Sequence, residues 1–309
     1  MKVVDLCGVC SHPDFKKQIE VVVDEFIIYE DVVHDEKELL KRIDDAEIVI
    51  SFLINISANI IQNAPNLKLI VLGTTGFNCV DLKAAQEKDV KVCYAPGYAT
   101  SAVAEHTIGL ILGAARLMLD SADALKKCKY EHSKYTGKLL KNKNLGIIGY
   151  GRIGQQVARI AEYGLGMKVT EYDVNSTRQD LEKLLKESDV ITVHLPLTKE
   201  TEKMLGEKEF ALMKDGIVIV NTARGKIIDE DVLLKNVKSG KVFAAGLDVL
   251  KEEPMHCENP LVSCSHVIVT PHTAYNTEES MYERSKIVTE NVIKFVEGKP
   301  QNLVCYSKK

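Results

Sequence analysis

One segment constrains this chain more than any other, Leu145-Gly-Ile-Ile-Gly149-Tyr-Gly151-Arg152-Ile153-Gly154. It follows an apolar run and precedes a helical pattern over 155–163, so its GxGxxG is the turn of a strand–turn–helix unit. In that turn Gly149 permits the sharp bend, Gly151 lets a pyrophosphate approach the backbone, and Gly154 lets helix and strand pack closely. The helix N-terminus adds free N–H groups and the positive end of its dipole. An acidic residue is expected about 20 residues further on, and Asp173 closes the run 168–173. Its carboxylate suits a ribose diol and repels a 2′-phosphate, so the expected cofactor is NAD rather than NADP.

Around this segment, short β-branched runs alternate with amphipathic stretches from one end of the chain to the other, the mark of βαβ units and parallel sheets. One series has strands near 2–6, 26–29, 47–51, 67–72 and 90–94; a second has them near 145–149, 168–173, 190–195, 217–221, 244–249 and 267–270. A single long apolar helix is expected over 102–119, and the last periodic stretch, 278–297, has no new series to start. It is read as crossing back onto the first series. The spacing therefore predicts a discontinuous domain, 1–98 with 276–309, and a continuous one, 99–275; 309 residues suffice for two cores.

Composition narrows the class. With 40 Lys+Arg against 44 Asp+Glu, nothing is basic enough to suggest a nucleic-acid partner. The longest uncharged run, 48–67, is interrupted by Ser51, Asn55, Ser57, Asn59, Gln62, Asn63 and Pro65, so no membrane span is expected. The N-terminus lacks the pattern of a secretory signal. A cytoplasmic protein is expected. Eight scattered cysteines have no framework spacing, and Cys7-Gly-Val-Cys10 has no second pair to complete a zinc site, so no metal is expected.

Three strand ends of the second series carry the remaining chemistry: Asn221-Thr-Ala-Arg224-Gly225, Gly246-Leu-Asp248 through Glu253-Pro254, and Thr270-Pro-His272. Ligands of open parallel sheets bind outside the carboxyl ends of the strands. Arg224 can grip a carboxylate with two parallel hydrogen bonds. His272 can supply the proton that a nascent alkoxide needs. Glu253, touching the other ring nitrogen, would orient the imidazole and favour its charged form.

With these residues in view, the chain resembles the NAD-dependent D-2-hydroxyacid dehydrogenases, the family of D-lactate, glycerate (hydroxypyruvate) and phosphoglycerate dehydrogenases. The matching pieces span almost the whole length: Gly73-Thr-Thr-Gly76-Phe-Asn78-Cys-Val-Asp81, Ala102-Val-Ala-Glu105-His106-Thr, the glycine segment, His194-Leu-Pro196-Leu-Thr198, and the three strand ends above. The resemblance implies an α/β fold of two doubly wound parallel-sheet domains: a Rossmann NAD-binding domain and a discontinuous flavodoxin-like substrate domain. It implies Arg224, Glu253 and His272 as the catalytic set. The amides of Thr75 and Gly76, with Arg224, would take the substrate carboxylate. Cofactor contacts carry over to Arg152 and Ile153 at the phosphates and Asp173 at the ribose. Leu195, Pro196, Thr201, Thr222 and Ala223 would lie along the cofactor, and Asp248 at the carboxamide. Glu105-His106, on an apolar helix, reads as structural.

The loop Thr-Gly-x-Asn-x-Val-Asp and Pro96-Gly-Tyr98 are closest to glycerate-type members, and Glu253 disfavours the formate dehydrogenases, which carry Gln there. Neither 51–57 nor 73–80 contains Lys or Arg, so a small uncharged substrate tail is expected: hydroxypyruvate or glyoxylate first, then pyruvate (D-lactate) and branched 2-oxo acids, with phosphoglycerate oxidation disfavoured. The apolar residues around helix 102–119 exceed what one domain face needs, which, with the resemblance, points to a homodimer. The alternative of another class is a non-enzymatic NAD-sensing protein like the corepressors that share this fold.

Overall fold

The computed structural model describes residues 1–305. Clustering of the backbone divides the chain into two compact units, Met1–Ala99 with Thr277–Lys309, and Thr100–Asn276.

The first unit runs β1 (Lys2–Asp5), α1 (Pro13–Glu20), β2 (Glu25–Ile28), α2 (Glu36–Ile43), β3 (Ile48–Ser51), α3 (Ala58–Asn63), β4 (Leu69–Leu72), α4 (Leu82–Glu87) and β5 (Lys91–Cys93). Its five strands are parallel in the order β2-β1-β3-β4-β5, the flavodoxin-like order. The strands are near-continuous apolar runs because both faces are covered. Val49, Ile70 and Leu72 face a core shared with α2, α3 and α4, while Val3, Ile48, Ile50, Leu69 and Val71 face the other side. That second face is closed by Phe15 and Ile19 of α1 and by Val288 and Val292.

The second unit runs α5 (Thr100–Ala115), α6 (Met118–Lys126), β6 (Asn144–Ile148), α7 (Arg152–Leu165), β7 (Lys168–Tyr172), α8 (Arg178–Glu187), β8 (Val190–Val193), α9 (Glu207–Leu212), β9 (Ile217–Asn221), α10 (Glu230–Lys238), β10 (Val242–Leu247) and β11 (Val267–Val269). The chain then enters α11 (Glu278–Val296), which supplies Val288 and Val292 to the first unit. The second sheet is also all parallel, in the order β11-β10-β9-β8-β6-β7. The chain reverses direction of winding between β6 and β8, so the crevice at their carboxyl ends is the ligand position for a doubly wound sheet.

One expected element differs. The helix read over 102–119 is two helices, α5 and α6, bent by 64°. Leu117 takes a left-handed conformation at φ 50° and is buried. The carbonyl of Ala115 is taken instead by the amide of Lys138 at 2.7 Å, so the ladder cannot continue. The apolar circumference of α5 is explained inside its own unit: Ala104, Ile108, Leu110, Ile111 and Ala114 join the core against α7, β9 and β10.

Candidate active site

The glycine turn shows why each position is glycine. Gly149 has φ 102°, and a Cβ there would lie 2.6 Å from the carbonyl carbon of His194. A Cβ on Gly154 would lie 2.1 Å from the carbonyl oxygen of Gly149. A Cβ on Gly151, by contrast, would meet nothing within 4 Å. The first two therefore serve packing, while the third leaves open space above the backbone. Gly151 is also the N-cap of α7 and supplies no capping side chain, so the amides of Arg152 and Ile153 head the helix without a side-chain acceptor. This cradle fits a pyrophosphate. Asp173, just past β7, accepts the Tyr150 amide at 3.1 Å and the Val174 amide at 2.8 Å, which ties the glycine turn to the end of β7.

The three expected strand ends emerge side by side. Asn221 of β9 pairs with Leu247 of β10, and Leu247 with Val269 of β11, so Arg224, Glu253 and His272 follow the carboxyl ends of adjacent strands. The Asn221 side chain clamps the first turn, donating to the Arg224 carbonyl at 3.0 Å and accepting the Ala223 amide at 2.9 Å. Gly225 then packs backbone to backbone on Leu250, where a Cβ would come within 2.0 Å of the carbonyl carbon. His272 Nδ1 lies 2.7 Å from Glu253 Oε2, which leaves Nε2 as the nitrogen available for proton transfer. Both side chains keep some exposure, 25% and 37%.

Other expected contacts occupy different places. Asp248 is buried, accepting the Thr270 hydroxyl at 2.6 Å and the Thr273 and Ala274 amides at 2.9 Å, with His106 Nε2 at 3.5 Å. These bonds hold the turn that carries His272. His106 also bonds Thr270 at 3.0 Å and so belongs to this buried network. The Thr201 hydroxyl accepts the Thr198 amide and donates to the Pro196 carbonyl, holding the turn after β8; Leu195 is buried beside it. Thr222 shares a hydroxyl bond with Thr107 of α5 at 2.9 Å. His194, named at first only as part of a motif, is enclosed with Nε2 against Thr192 at 3.1 Å, and burial pushes its pKa down to about 3, so it stays neutral.

In the first unit, the Thr74 hydroxyl donates to the Gly76 carbonyl at 2.5 Å and the Thr75 hydroxyl to the Ala95 carbonyl at 3.1 Å, which shapes the loop 73–76. Cys10 is buried and Cys7 half-buried; loss of hydration raises the Cys7 thiol to about 12 and raises Cys10 as well, and Cys10 Sγ lies 3.5 Å from the Thr289 hydroxyl. Segments 51–57 and 73–80 hold no Lys or Arg, but a cation reaches them from another element. Arg284 of α11 stacks its guanidinium 4.4 Å from the ring centre of Phe52, and its Cδ lies 3.4 Å from where a Cβ of Gly73 would be. The residue lies more than two hundred positions from either loop and arrives on a distant helix. A signal does exist: Arg284, Val288 and Val292 share one stripe of α11 at a spacing of four, placing an arginine on the buried face.

Comparison with known proteins gives a consistent set of likenesses. Residues 108–274 match the family described as D-isomer specific 2-hydroxyacid dehydrogenase, NAD binding domain. The hydroxypyruvate reductase of Blautia hydrogenotrophica is 36% identical over 98% of this chain and 99% of its own length. The D-3-phosphoglycerate dehydrogenase of Archaeoglobus fulgidus is 38% identical over 85% of this chain, which spans only 52% of that longer relative. Among solved structures, the D-lactate dehydrogenase of Aquifex aeolicus complexed with NAD and lactic acid superposes with a TM-score of 0.82 at 32% identity, covering 97% of this chain and 96% of its own.

Proposed function

The chain belongs to the D-isomer-specific 2-hydroxyacid dehydrogenase family, and on that premise we propose that it reduces hydroxypyruvate, and more slowly glyoxylate, with NADH. The carrying observation is the His272–Glu253 pair at 2.7 Å, set beside the Arg224 turn on the sheet that also bears the glycine cradle.

Bound NADH supplies the hydride that goes to C2 of the 2-oxo acid. Arg224 polarises the C2 carbonyl and grips the carboxylate. As charge develops on the carbonyl oxygen, His272 delivers the Nε2 proton to it, and the product is the 2-hydroxy acid. Glu253 accepts the hydrogen bond from Nδ1, fixing the tautomer and stabilising the imidazolium before transfer. Asp248 and Thr270 fix the position of the His272 turn. The test is NADH oxidation with a panel of hydroxypyruvate, glyoxylate, pyruvate, 2-oxoisocaproate and 3-phosphohydroxypyruvate. Hydroxypyruvate is expected to give the highest kcat/KM; a folded, NADH-binding protein that turns over none of them overturns the assignment.

Asp173 is assigned to the adenosine ribose, and NADH is expected to be preferred over NADPH. Asp173→Ala removes the repulsion of a 2′-phosphate and shrinks that preference about tenfold or more, one decade being about 1.4 kcal/mol. Equal wild-type kcat/KM for the two cofactors contradicts this role.

A homodimer is also proposed. With α5 explained by its own core, support now comes from α6 and the segment after it, where Met118, Leu119, Leu125 and Tyr130 are exposed at 55%, 52%, 62% and 83%. Apolar side chains grouped in this way suit a protein interface. Light scattering at micromolar concentration is expected to give twice the chain mass, and Leu119→Glu with Leu125→Glu the mass of one chain; a monomeric wild type refutes the assembly.

A further inference from the structure

We propose that Arg284 is a specificity-determining residue that binds an oxygen acceptor on C3 of the substrate; the inference rests on the reading of this chain as a 2-oxo acid reductase. Three observations within the first unit converge on it.

The first is the state of the side chain. Arg284 Nε is shut off from solvent with no hydrogen-bond partner, and among the described residues no carboxylate lies within 4.0 Å of its guanidinium. Asp5 acts on it only at longer range: that carboxylate is buried and already accepts the Cys7 amide at 3.2 Å and the Cys10 amide at 2.8 Å. Arg284 as a whole is half-buried, so it is the enclosed Nε edge that is left without an acceptor, and an unpaired buried donor is costly unless a ligand completes it.

The second is that the side chain is held. Its guanidinium carbon lies over the Phe52 ring, 4.4 Å from the ring centre, a cation–π contact that leaves the N–H groups to donate elsewhere. The neighbouring residue anchors the helix, since the Ser285 hydroxyl donates to the Val9 carbonyl at 2.6 Å. The cation is therefore preorganised rather than swinging free.

The third is location. Phe52 follows β3 and Asp5 ends β1; the winding of this sheet reverses between those two strands, which is where ligands of doubly wound sheets bind. Gly73, which follows β4 and opens the loop assigned to the substrate carboxylate, lies against the same two side chains: a Cβ there would stand 3.3 Å from Phe52 Cδ2 and 3.4 Å from Arg284 Cδ. A cation alongside that loop is placed for the substituent next to C2, not for the carboxylate that the loop amides take.

The ligand chemistry is an oxygen acceptor, either the neutral hydroxyl of hydroxypyruvate or the phosphate of 3-phosphohydroxypyruvate. Pyruvate, with a methyl group, leaves the guanidinium unpaired. A single arginine only partly compensates a dianion, so the hydroxyl is expected to be the better occupant.

The experiment measures kcat/KM of wild type and Arg284→Met with hydroxypyruvate, 3-phosphohydroxypyruvate and pyruvate, alongside NADH affinity and far-UV circular dichroism. In the variant, kcat/KM for hydroxypyruvate is expected to fall about ten- to a hundredfold more than that for pyruvate, the usual scale for a hydrogen bond to a charged group, with NADH affinity retained. Arg284→Lys, which keeps the charge but not the fork, is expected to recover part of the ratio. A larger loss with the phosphorylated substrate than with hydroxypyruvate assigns the phosphate as the occupant and supports the inference in that form. An unchanged hydroxypyruvate-to-pyruvate ratio in an active, folded variant overturns it, as does an equal loss on all three substrates. A wild type that reduces no 2-oxo acid overturns the functional reading and this inference together, so the two failures are distinct.

Discussion

Arg224→Lys is expected to bind NADH almost as wild type and to lose about two to three orders of magnitude in kcat/KM for 2-oxo acid reduction, the scale of removing one preorganised donor from a developing oxyanion. The turn that positions residue 224 is built by the Asn221 side chain and by Gly225 against Leu250, and the guanidinium adds one bond, from Nη1 to the Ala223 carbonyl at 2.7 Å, that a lysine ammonium can replace. Lysine should therefore fold into the same place. What it lacks is the planar fork, which can hold a carboxylate and polarise the adjacent carbonyl at once. Stopped-flow fluorescence for NADH binding, with steady-state reduction of hydroxypyruvate, separates the two effects. Wild-type kcat/KM in the variant removes Arg224 from the mechanism.

A second pair of substitutions divides folding from cofactor binding. Gly154→Ala drives a methyl group to 2.1 Å from the Gly149 carbonyl oxygen, a backbone atom that cannot yield cheaply. It is expected to cost about 3 kcal/mol or more, at the upper end for overpacking, with a clear fall in Tm. Gly151→Ala meets nothing within 4 Å and sits at φ −73°, which alanine adopts freely. Its Tm should match wild type, yet NADH affinity should fall at least tenfold, because the methyl group takes the space left for the pyrophosphate. Thermal melts and NADH titration of both variants test this directly. A Gly151→Ala protein with unchanged affinity dismisses the cradle as a phosphate site.

The readable part of this protein is the part encoded by neighbours in the chain. Gly149, Gly151, Gly154 and Asp173 announce themselves through spacing, and the residues after β9, β10 and β11 through their position at the ends of apolar runs. Strand limits are less legible: the apolar run 190–195 is strand only over Val190–Val193, because the turn held by Thr201 follows. The break at Leu117 left no mark, since it depends on Lys138 taking a carbonyl from Ala115. The donors to Asp248 arrive from Thr270, Thr273 and Ala274, and only the fold brings them together. Arg284 was hidden for the same reason, its partners Phe52 and Gly73 lying on other strands' loops.

The interrupted path of the first unit bears on how the chain matures during synthesis. Its five strands are all translated by residue 93, but the face formed by Val3, Ile48, Ile50, Leu69 and Val71 needs Val288 and Val292, which leave the ribosome only after the whole second unit. The second unit is continuous, carries its own two cores, and can close as soon as β11 has emerged. The nascent polypeptide thus holds an apolar sheet face open for the time taken to translate some two hundred codons, at about 5–20 residues per second. Chaperone capture is expected to concentrate on residues 1–99 in that interval, and the arrival of α11 ends it, covering the sheet and delivering Arg284 in a single step.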